Sequence, residues 1–443
     1  MNTTAHLNHY SACIPMLPRF QKDGKVVQAV GLIIEATLPD GELGELCEIF
    51  TRSGNIIRAE IVGFRKDNVL MMPFDEVVRT SPGSRVRRSP RPLSVPVGPK
   101  LLGRVLDGLG NPIDGKGPIV GDHNQPVYNV PPNPLHRSRI TSSVATGIRA
   151  IDGLVTIGRG QRIGIFSGSG VGKSVMLGMI AKYTEAQVNV IALVGERGRE
   201  VREFIERDLG EEGLKNSVVV VATSNQAAMV RVKGALIATA IAEYFSNQGM
   251  DVMLMMDSLT RVAMAQREIG LATGEPPTTK GYTPSVFALL PRLLERAGNF
   301  RSGSITGLYS VLVENDDMDD PIGDSARSIL DGHIVLSRKL AAKGHYPAID
   351  VLESISRLKN EVTSEKQKSD TQQFLELLAT YHESEDLVNI GAYKTGTNVK
   401  LDTAIQHREL MDRFLKQTVN EASSCETTVA YLSQITEKFG DKT

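Results

Sequence analysis

Gly172-Lys173-Ser174 follows a short apolar run, Ile163 to Phe166, and precedes a second apolar segment that opens at Val175. The pattern predicts a strand, a loop and a helix. Small residues between them let successive N–H groups turn into one concavity at the helix N-terminus, where the helix dipole also favours a phosphate. The candidate phosphate loop comprises Ser167, Gly168, Ser169, Gly170, Val171, Gly172, Lys173, Ser174 and Val175. In it Lys173 would meet the β- and γ-phosphates of a nucleotide and the Ser174 hydroxyl would meet Mg²⁺. The general pattern has glycine five residues before Gly172, and this chain has Ser167 there. A bare Gly-Lys-Ser/Thr triplet arises by chance about 0.2 times in a chain of this length, so the flanking elements and later residues must carry the reading.

Four later positions supply what a phosphate loop lacks. Asp257 ends the apolar run Val252-Met253-Leu254-Met255-Met256; a carboxylate at the mouth of a buried strand either holds Mg²⁺ or caps the helix that follows. Glu196 closes the run Val190 to Val194, with Arg197 beside it. A carboxylate at a strand tip could orient and polarise a water attacking the γ-phosphate of ATP, and the alternative is a solvated charged loop. Arg357, in Ser354-Ile355-Ser356-Arg357, offers a permanent charge and five donors to a phosphoryl group in transfer, or is an ordinary surface arginine. Tyr346-Pro347 offers a flat face to an adenine or is part of the core.

These residues need elements to position them. From about 94 to 365, strand-like runs alternate with helical patterns: Arg162 to Phe166, Asn189 to Val194, Ser217 to Ala222, Val252 to Met256, Ser304 to Val313 and His333 to Leu336 are strands, and Ala227 to Phe245 has helical spacing. Such alternation predicts an α/β domain with a mostly parallel sheet covered on both faces and a ligand at the carboxyl ends of its strands. Ahead of it, Val26 to Ala36, Leu46 to Phe50, Ile56 to Phe64 and Val69 to Met72 are β-rich runs between turn signals, which predicts a small β-barrel over 26–93. The basic, proline-bearing stretch Arg85 to Pro92 reads as a solvated linker rather than a nucleic-acid patch, because no aromatic residues interleave with its charges. Residues 1–25 read as a flexible lead-in. After 366 the apolar residues Phe374, Leu375, Leu378, Leu401, Ile405, Phe414 and Leu415 recur at helical spacing, which predicts a helical domain over 366–443.

Composition bounds the rest. The chain has 443 residues, 50 Lys and Arg against 51 Asp and Glu, and 41% hydrophobic residues. It is long enough for two or three domains, and its near-zero net charge gives no global argument for nucleic acid or an acidic membrane. Cys13, Cys47 and Cys425 stand in no metal-binding spacing and suggest a reducing compartment. No segment reaches 18 apolar residues. The expectation is a cytoplasmic protein that meets a membrane only through partners.

The motifs together resemble a known family. Gly168 to Ser174, Val194-Gly195-Glu196-Arg197-Gly198-Arg199-Glu200, the Asp257 strand, Gly344 to Asp350 and Ser354 to Arg357 come in the order and spacing of the catalytic subunits of rotary ATP synthases and their secretion relatives. Gly103 to Gly110 and Gly147 to Asp152 match the same family. Gly274 to Phe287, Asp316 to Pro321 and Leu387 to Tyr393 resemble the flagellum-specific type III export ATPases, whose relatives also carry a small residue at the position of Ser167. The resemblance implies a RecA-like P-loop core between an N-terminal β-barrel and a C-terminal helical domain. It implies Mg²⁺-dependent ATP hydrolysis in a homo-hexameric ring that energises or primes flagellar protein export. By the same resemblance Glu196 activates water, Lys173 and Arg197 act with it, Asp257 and Ser174 hold Mg²⁺, Tyr346 stacks on adenine, and Arg357 reaches into the neighbouring copy's site. Implied partners are a peripheral-stalk-like regulator at the N-terminus, a central-stalk-like protein near Glu383 to Asp386, export substrates with their chaperones and a membrane export gate, with no nucleic acid. The acidic residues 383–386 read equally as a solvated face. Alternatives are a virulence-type secretion ATPase, a synthase catalytic subunit and a ring translocase on nucleic acid.

Overall fold

A computed structural model describes residues 22–75, 80–89, 92–313 and 320–440. Most of the lead-in and the motif residues 316–319 lie outside the described residues. The chain divides into two compact units, 1–92 and 93–443.

The first unit is a closed barrel of strands β1 (Gly24–Val30), β2 (Ile33–Thr37), β3 (Leu46–Phe50), β4 (Ile56–Arg65), β5 (Asn68–Pro73) and β6 (Arg85–Arg88), in the order β1-β2-β5-β4-β3-β6. Alternation decides which residues fill it. Ile57, Ala59 and Ile61 turn inward and are buried beside Val26, Ile34, Ile49 and Met71, while Arg58 stays in solvent. The apolar run 26–36 is two strands, because Gly31 takes a φ of 58° in a two-residue turn that pairs Val30 with Ile33. The linker expected over 85–92 is corrected at its start: Arg85–Arg88 is the strand that closes the barrel, pairing antiparallel with β1 and β3. Val86 is buried in the barrel, and the arginines around it are partnered on the outside. Arg87 donates twice to Asp23 at 3.0 Å, Arg88 donates to Glu45 at 2.8 Å, and the Arg85 guanidinium lies 4.1 Å over the Phe50 ring.

In the second unit β7 (Ser94–Val97) pairs with β9 (His123–Pro126), and a nine-stranded sheet forms the centre. Its members are β8 (Arg104–Asp107), β10 (Arg162–Ser167), β11 (Val188–Val194), β12 (Ser217–Ala222), β13 (Asp251–Asp257), β14 (Gly298–Asn299), β15 (Ser304–Leu312), β16 (Gly332–Leu336) and β17 (Ile349–Ser356). The order is β17-β16-β10-β15-β13-β11-β12-β8, all parallel except β17 at one edge, with β14 paired antiparallel to β15. The continuous apolar runs of β11, β12 and β13 match their burial on both faces.

Helices α1 (Arg149–Leu154), α2 (Lys173–Tyr183), α3 (Gly198–Glu203), α4 (Ala228–Asn247) and α5 (Leu259–Thr273) belong to this sheet region, and α6 (Arg338–Ala342) follows β16. After β17 the described chain is helical: α7 (Glu365–Asn389), α8 (Val399–Gln406), α9 (Arg408–Leu415) and α10 (Cys425–Gly440). Phe374, Phe414, Leu432 and Ile435 from these helices bury into one core with Ile151 and Leu154 of α1 and Ile163 of β10. The C-terminal helices thus rest on α1 and share one core with the strand that leads into the phosphate loop.

Candidate active site

The loop follows the buried end of β10. α2 begins at Lys173 behind Gly172, whose φ of 86° belongs to the left-handed region, and its first turn carries no acidic residue. The first N–H groups of the helix and its positive end are therefore left to an anion. A Cβ on Gly172 would come 3.3 Å from the Tyr346 ring, so the bare backbone here lets an aromatic face lie against the loop. Ser174 stands in the first turn of α2, half-buried. Ser167, the last residue of β10, is buried, and its hydroxyl has no partner among the described residues.

Three strand tips converge beside this loop. Asp257, the last residue of β13, is 3% exposed; it accepts from the Lys173 ammonium, and the Ser310 hydroxyl of β15 donates to it at 2.6 Å. β15 lies between β10 and β13, so Ser310 fills the gap across which Lys173 reaches. Glu196 comes two residues after β11. Burial, then the negative charge of Asp257, push its carboxyl up to about 7 against the opposing pull of Lys173. A carboxylate with that environment is suited to take a proton near neutral pH. Arg197 is not drawn into the cluster: its side chain is 82% exposed, 3.9 Å from Glu200.

Tyr346 is 47% exposed, which excludes the reading as a core tyrosine. It borders a pocket of about 690 Å³ that runs from Gly170 and Gly172 of the loop, past Met176, to Gln417 and Val419. The pocket opens directly off the phosphate loop and has the size and one aromatic wall that a nucleotide base requires.

Arg357 lies at the opposite end of the sheet. β17 pairs with β16 so that Ile349 meets Leu336 and Ser356 meets Gly332, whereas Ser167 pairs with Leu336. Four residues of β16 separate these levels, roughly 13 Å along the strand. Arg357 is exposed and donates to the Arg327 carbonyl at 3.3 Å. It does not meet Lys173, Asp257 or Glu196 of its own chain.

The sequence reading missed three residues here. Ser310 was one polar residue inside a buried run. Arg261 sits in the first turn of α5, four residues after Asp257; its side chain packs on Gly195 beside Glu196, and its buried Nε has no partner among the described residues. That spacing from Asp257 was a usable signal. The Arg338 guanidinium lies 2.5 Å from where a Cβ of Gly168 would stand, a contact across 170 residues with no local signature.

A parallel sheet with a phosphate loop after one strand and carboxylates at neighbouring strand tips defines a P-loop nucleotide-binding domain. Residues 147–356 match the nucleotide-binding domain of the ATP synthase alpha/beta family, residues 26–90 match that family's beta-barrel domain, and residues 363–434 match the T3SS EscN ATPase C-terminal domain. The flagellum-specific ATP synthase of Bacillus subtilis is 55% identical over 96% of this chain and 97% of its own length. The type 3 secretion system ATPase of Xanthomonas euvesicatoria is 51% identical over 94% of each. The solved structure of the assembled ATPase EscN from the enteropathogenic E. coli type III secretion system superposes with a TM-score of 0.87 at 44% identity, covering 93% of this chain and all of that one. The chain belongs to the ATP synthase alpha/beta family, in the branch that holds the flagellum-specific and type III secretion ATPases.

Proposed function

We propose that this chain hydrolyses ATP to drive type III protein export of the flagellar kind, in a ring of six copies whose active sites lie between neighbours. ATP hydrolysis in type III export is the activity of the branch to which the chain belongs. The observation that carries the reading is the joining of Lys173, Asp257 and Glu196 at three strand tips beside a phosphate loop, with Arg357 on the far edge of the sheet.

Backbone N–H groups of 168–173 and the Lys173 ammonium hold the β- and γ-phosphates, with Lys173 leaving Asp257 to do so. The Glu196 carboxylate orients the attacking water and takes its proton. Arg357 of the adjacent copy stabilises the charge on the phosphoryl oxygens in transfer. Tyr346 stacks on the adenine. Arg197 reaches the phosphates only from a different rotamer than the exposed one.

Ser174 and Asp257 would hold Mg²⁺. One hydroxyl and one carboxylate suit an ion that keeps waters and phosphate oxygens in its shell, and among the described residues no group of three or more His, Cys, Asp or Glu forms a protein cage. Bound there, Mg²⁺ supplies charge that neutralises the phosphate oxygens.

A central-stalk-like partner is supported by the EscN structure solved in complex with its central stalk EscO, 43% identical to this chain with a TM-score of 0.87. Residues 383–386 lie in α7, where Glu385 is held by Lys343 at 2.9 Å. A peripheral regulator at the lead-in, export cargo with chaperones, and an export gate complete the partners. Among the described residues no helix is long and apolar enough to cross a membrane, which fits a cytoplasmic enzyme brought to the inner membrane by others. Against nucleic acid, Phe50 of the barrel lies beneath Arg85 and Arg87 rather than open to a base. The virulence-type system stays the second reading, because relatives of both kinds match at 55% and 51% identity. Complementation separates them: the gene restores swimming to a flagellar ATPase mutant if the first reading holds, and restores only effector secretion if the second does.

A further inference from the structure

The pocket beside Tyr346 has a second wall, and one buried arginine ties it down. After α9 the chain runs as a strap from Lys416 to Glu421 along the pocket before α10 begins. Arg149, first residue of α1 and 7% exposed, reaches across to it from 264 to 272 residues earlier in the chain. Its Nε donates to the Phe414 carbonyl at 3.1 Å, and its Nη2 donates to the carbonyls of Lys416 at 2.5 Å and Arg413 at 3.3 Å. Its Nη1 donates to the Glu421 carboxylate, and its backbone N–H donates to Gln417 Oε1 at 2.9 Å. Gln417, 5% exposed, donates through Nε2 to the carbonyls of Gly147 at 2.7 Å and Glu421 at 2.6 Å. The backbone N–H of Gln417 donates to the Tyr346 carbonyl at 3.0 Å.

Two consequences follow from these bonds. The guanidinium occupies the carbonyl end of α9, where a helix leaves acceptors unpaired and favours a cation, and its planar fork serves several carbonyls at once as an ammonium could not. The same bonds set where the strap leaves α9, and Gln417 joins the strap to the backbone of the aromatic residue opposite. The pocket's two walls are thus held to each other through Gln417 and to the core through Arg149.

We infer that Arg149 and Gln417 are positioning residues for the nucleotide base: they hold the Lys416–Glu421 strap and Tyr346 at the spacing a base needs, and so set affinity for the base-bearing part of the substrate rather than the rate of phosphoryl transfer. This rests on the reading of the Tyr346 pocket as the base site. Neither residue touches the phosphate end, so their effect is separable from that of the loop.

The test compares ATP with inorganic tripolyphosphate, which has the phosphates and no base. In Arg149→Ala the dissociation constant and KM for ATP rise about tenfold, as the loss of one or two hydrogen bonds' worth of wall order would give. Binding of tripolyphosphate changes by less than about twofold and kcat by less than about threefold on the same reasoning. If Arg149→Ala melts before it can be assayed, Glu421→Gln serves, which keeps the guanidinium in place and removes its charged acceptor; about a threefold rise for ATP alone is expected. Equal weakening of ATP and tripolyphosphate, or unchanged ATP affinity in both variants, overturns the inference. Tyr346→Ala distinguishes the two levels of the argument. If Tyr346→Ala weakens ATP binding while Arg149→Ala and Glu421→Gln do not, the strap has no positioning role; if Tyr346→Ala leaves ATP binding unchanged, the base-site reading itself fails and the inference with it.

Discussion

Arg357 and Glu196 cannot serve one phosphoryl group from one chain. The register of β17 on β16 and of β16 on β10 puts Arg357 at the level of Gly332 and the loop beyond the level of Leu336. That is roughly 13 Å along the strands and about 10 Å across two strand spacings, beyond a side chain's reach. An active site that needs both must take Arg357 from another copy. Each single variant, Glu196→Gln or Arg357→Ala, should therefore lose turnover by about 10³-fold while keeping ATP affinity, as transition-state groups do. Mixed in equal amounts and reassembled, they should recover. A site works when an Arg357→Ala chain, with its Glu196 intact, is followed by a Glu196→Gln chain, with its Arg357 intact. Random assembly produces that order at about one interface in four, so about a quarter of wild-type activity should return if sites turn over independently. The assay is phosphate release before and after mixing through a dissociating step. Activity that stays at the level of the single variants would refute the shared site, and so would an Arg357→Ala chain that hydrolyses ATP normally.

Two further outcomes follow from the surroundings of Glu196 and Phe414. Burial and the charge of Asp257 raise the Glu196 carboxyl to about 7; as a base it must be ionised, so kcat/KM should level off above about pH 8, be half-maximal near pH 7 and approach a tenfold fall per unit below about pH 6, and a profile flat from about pH 5.5 to 8 would exclude Glu196 as the base. Phe414 is fully buried and packs at a tilt against Phe374, 5.4 Å between ring centroids; Phe414→Ala should cost about 3–5 kcal/mol and lower the melting temperature of the nucleotide-binding region together with the C-terminal helices, and two separate transitions would contradict their common core.

How much could be read beforehand depended on how far each residue's partners lie along the chain. The phosphate loop, Glu196 and Asp257 were legible because each is a local event, a buried strand that ends in small or charged residues; the run Ser217 to Ala222 even has the bounds of β12. β6 was read as linker because only Val86 among its four residues faces inward, too short a run for alternation to register. β17, an edge strand with Leu352, Glu353 and Ile355 exposed, was seen as motif residues and not as a strand. α10 falls inside the helical domain expected over 366–443, but its own apolar spacing was not picked out. Arg261 was within reach, one helical turn past Asp257. The roles of Arg149, Gln417 and Arg338 were not, since the contacts Arg149–Gln417, Arg149–Glu421 and Gly168–Arg338 span 170 to 272 residues; Arg149 stood out only as part of the Gly147–Asp152 motif, which says nothing of those partners.

Phosphate release by the purified full-length chain, with Mg²⁺ and ATP and no other protein present, tests the central claim most directly when wild type and Glu196→Gln are compared at matched ATP occupancy. The account predicts steady turnover by the wild-type chain alone and a loss of about 10³-fold in Glu196→Gln with ATP still bound. A wild-type chain that binds ATP without hydrolysing it at any protein concentration, or a Glu196→Gln chain that turns over within a few-fold of wild type, would contradict it.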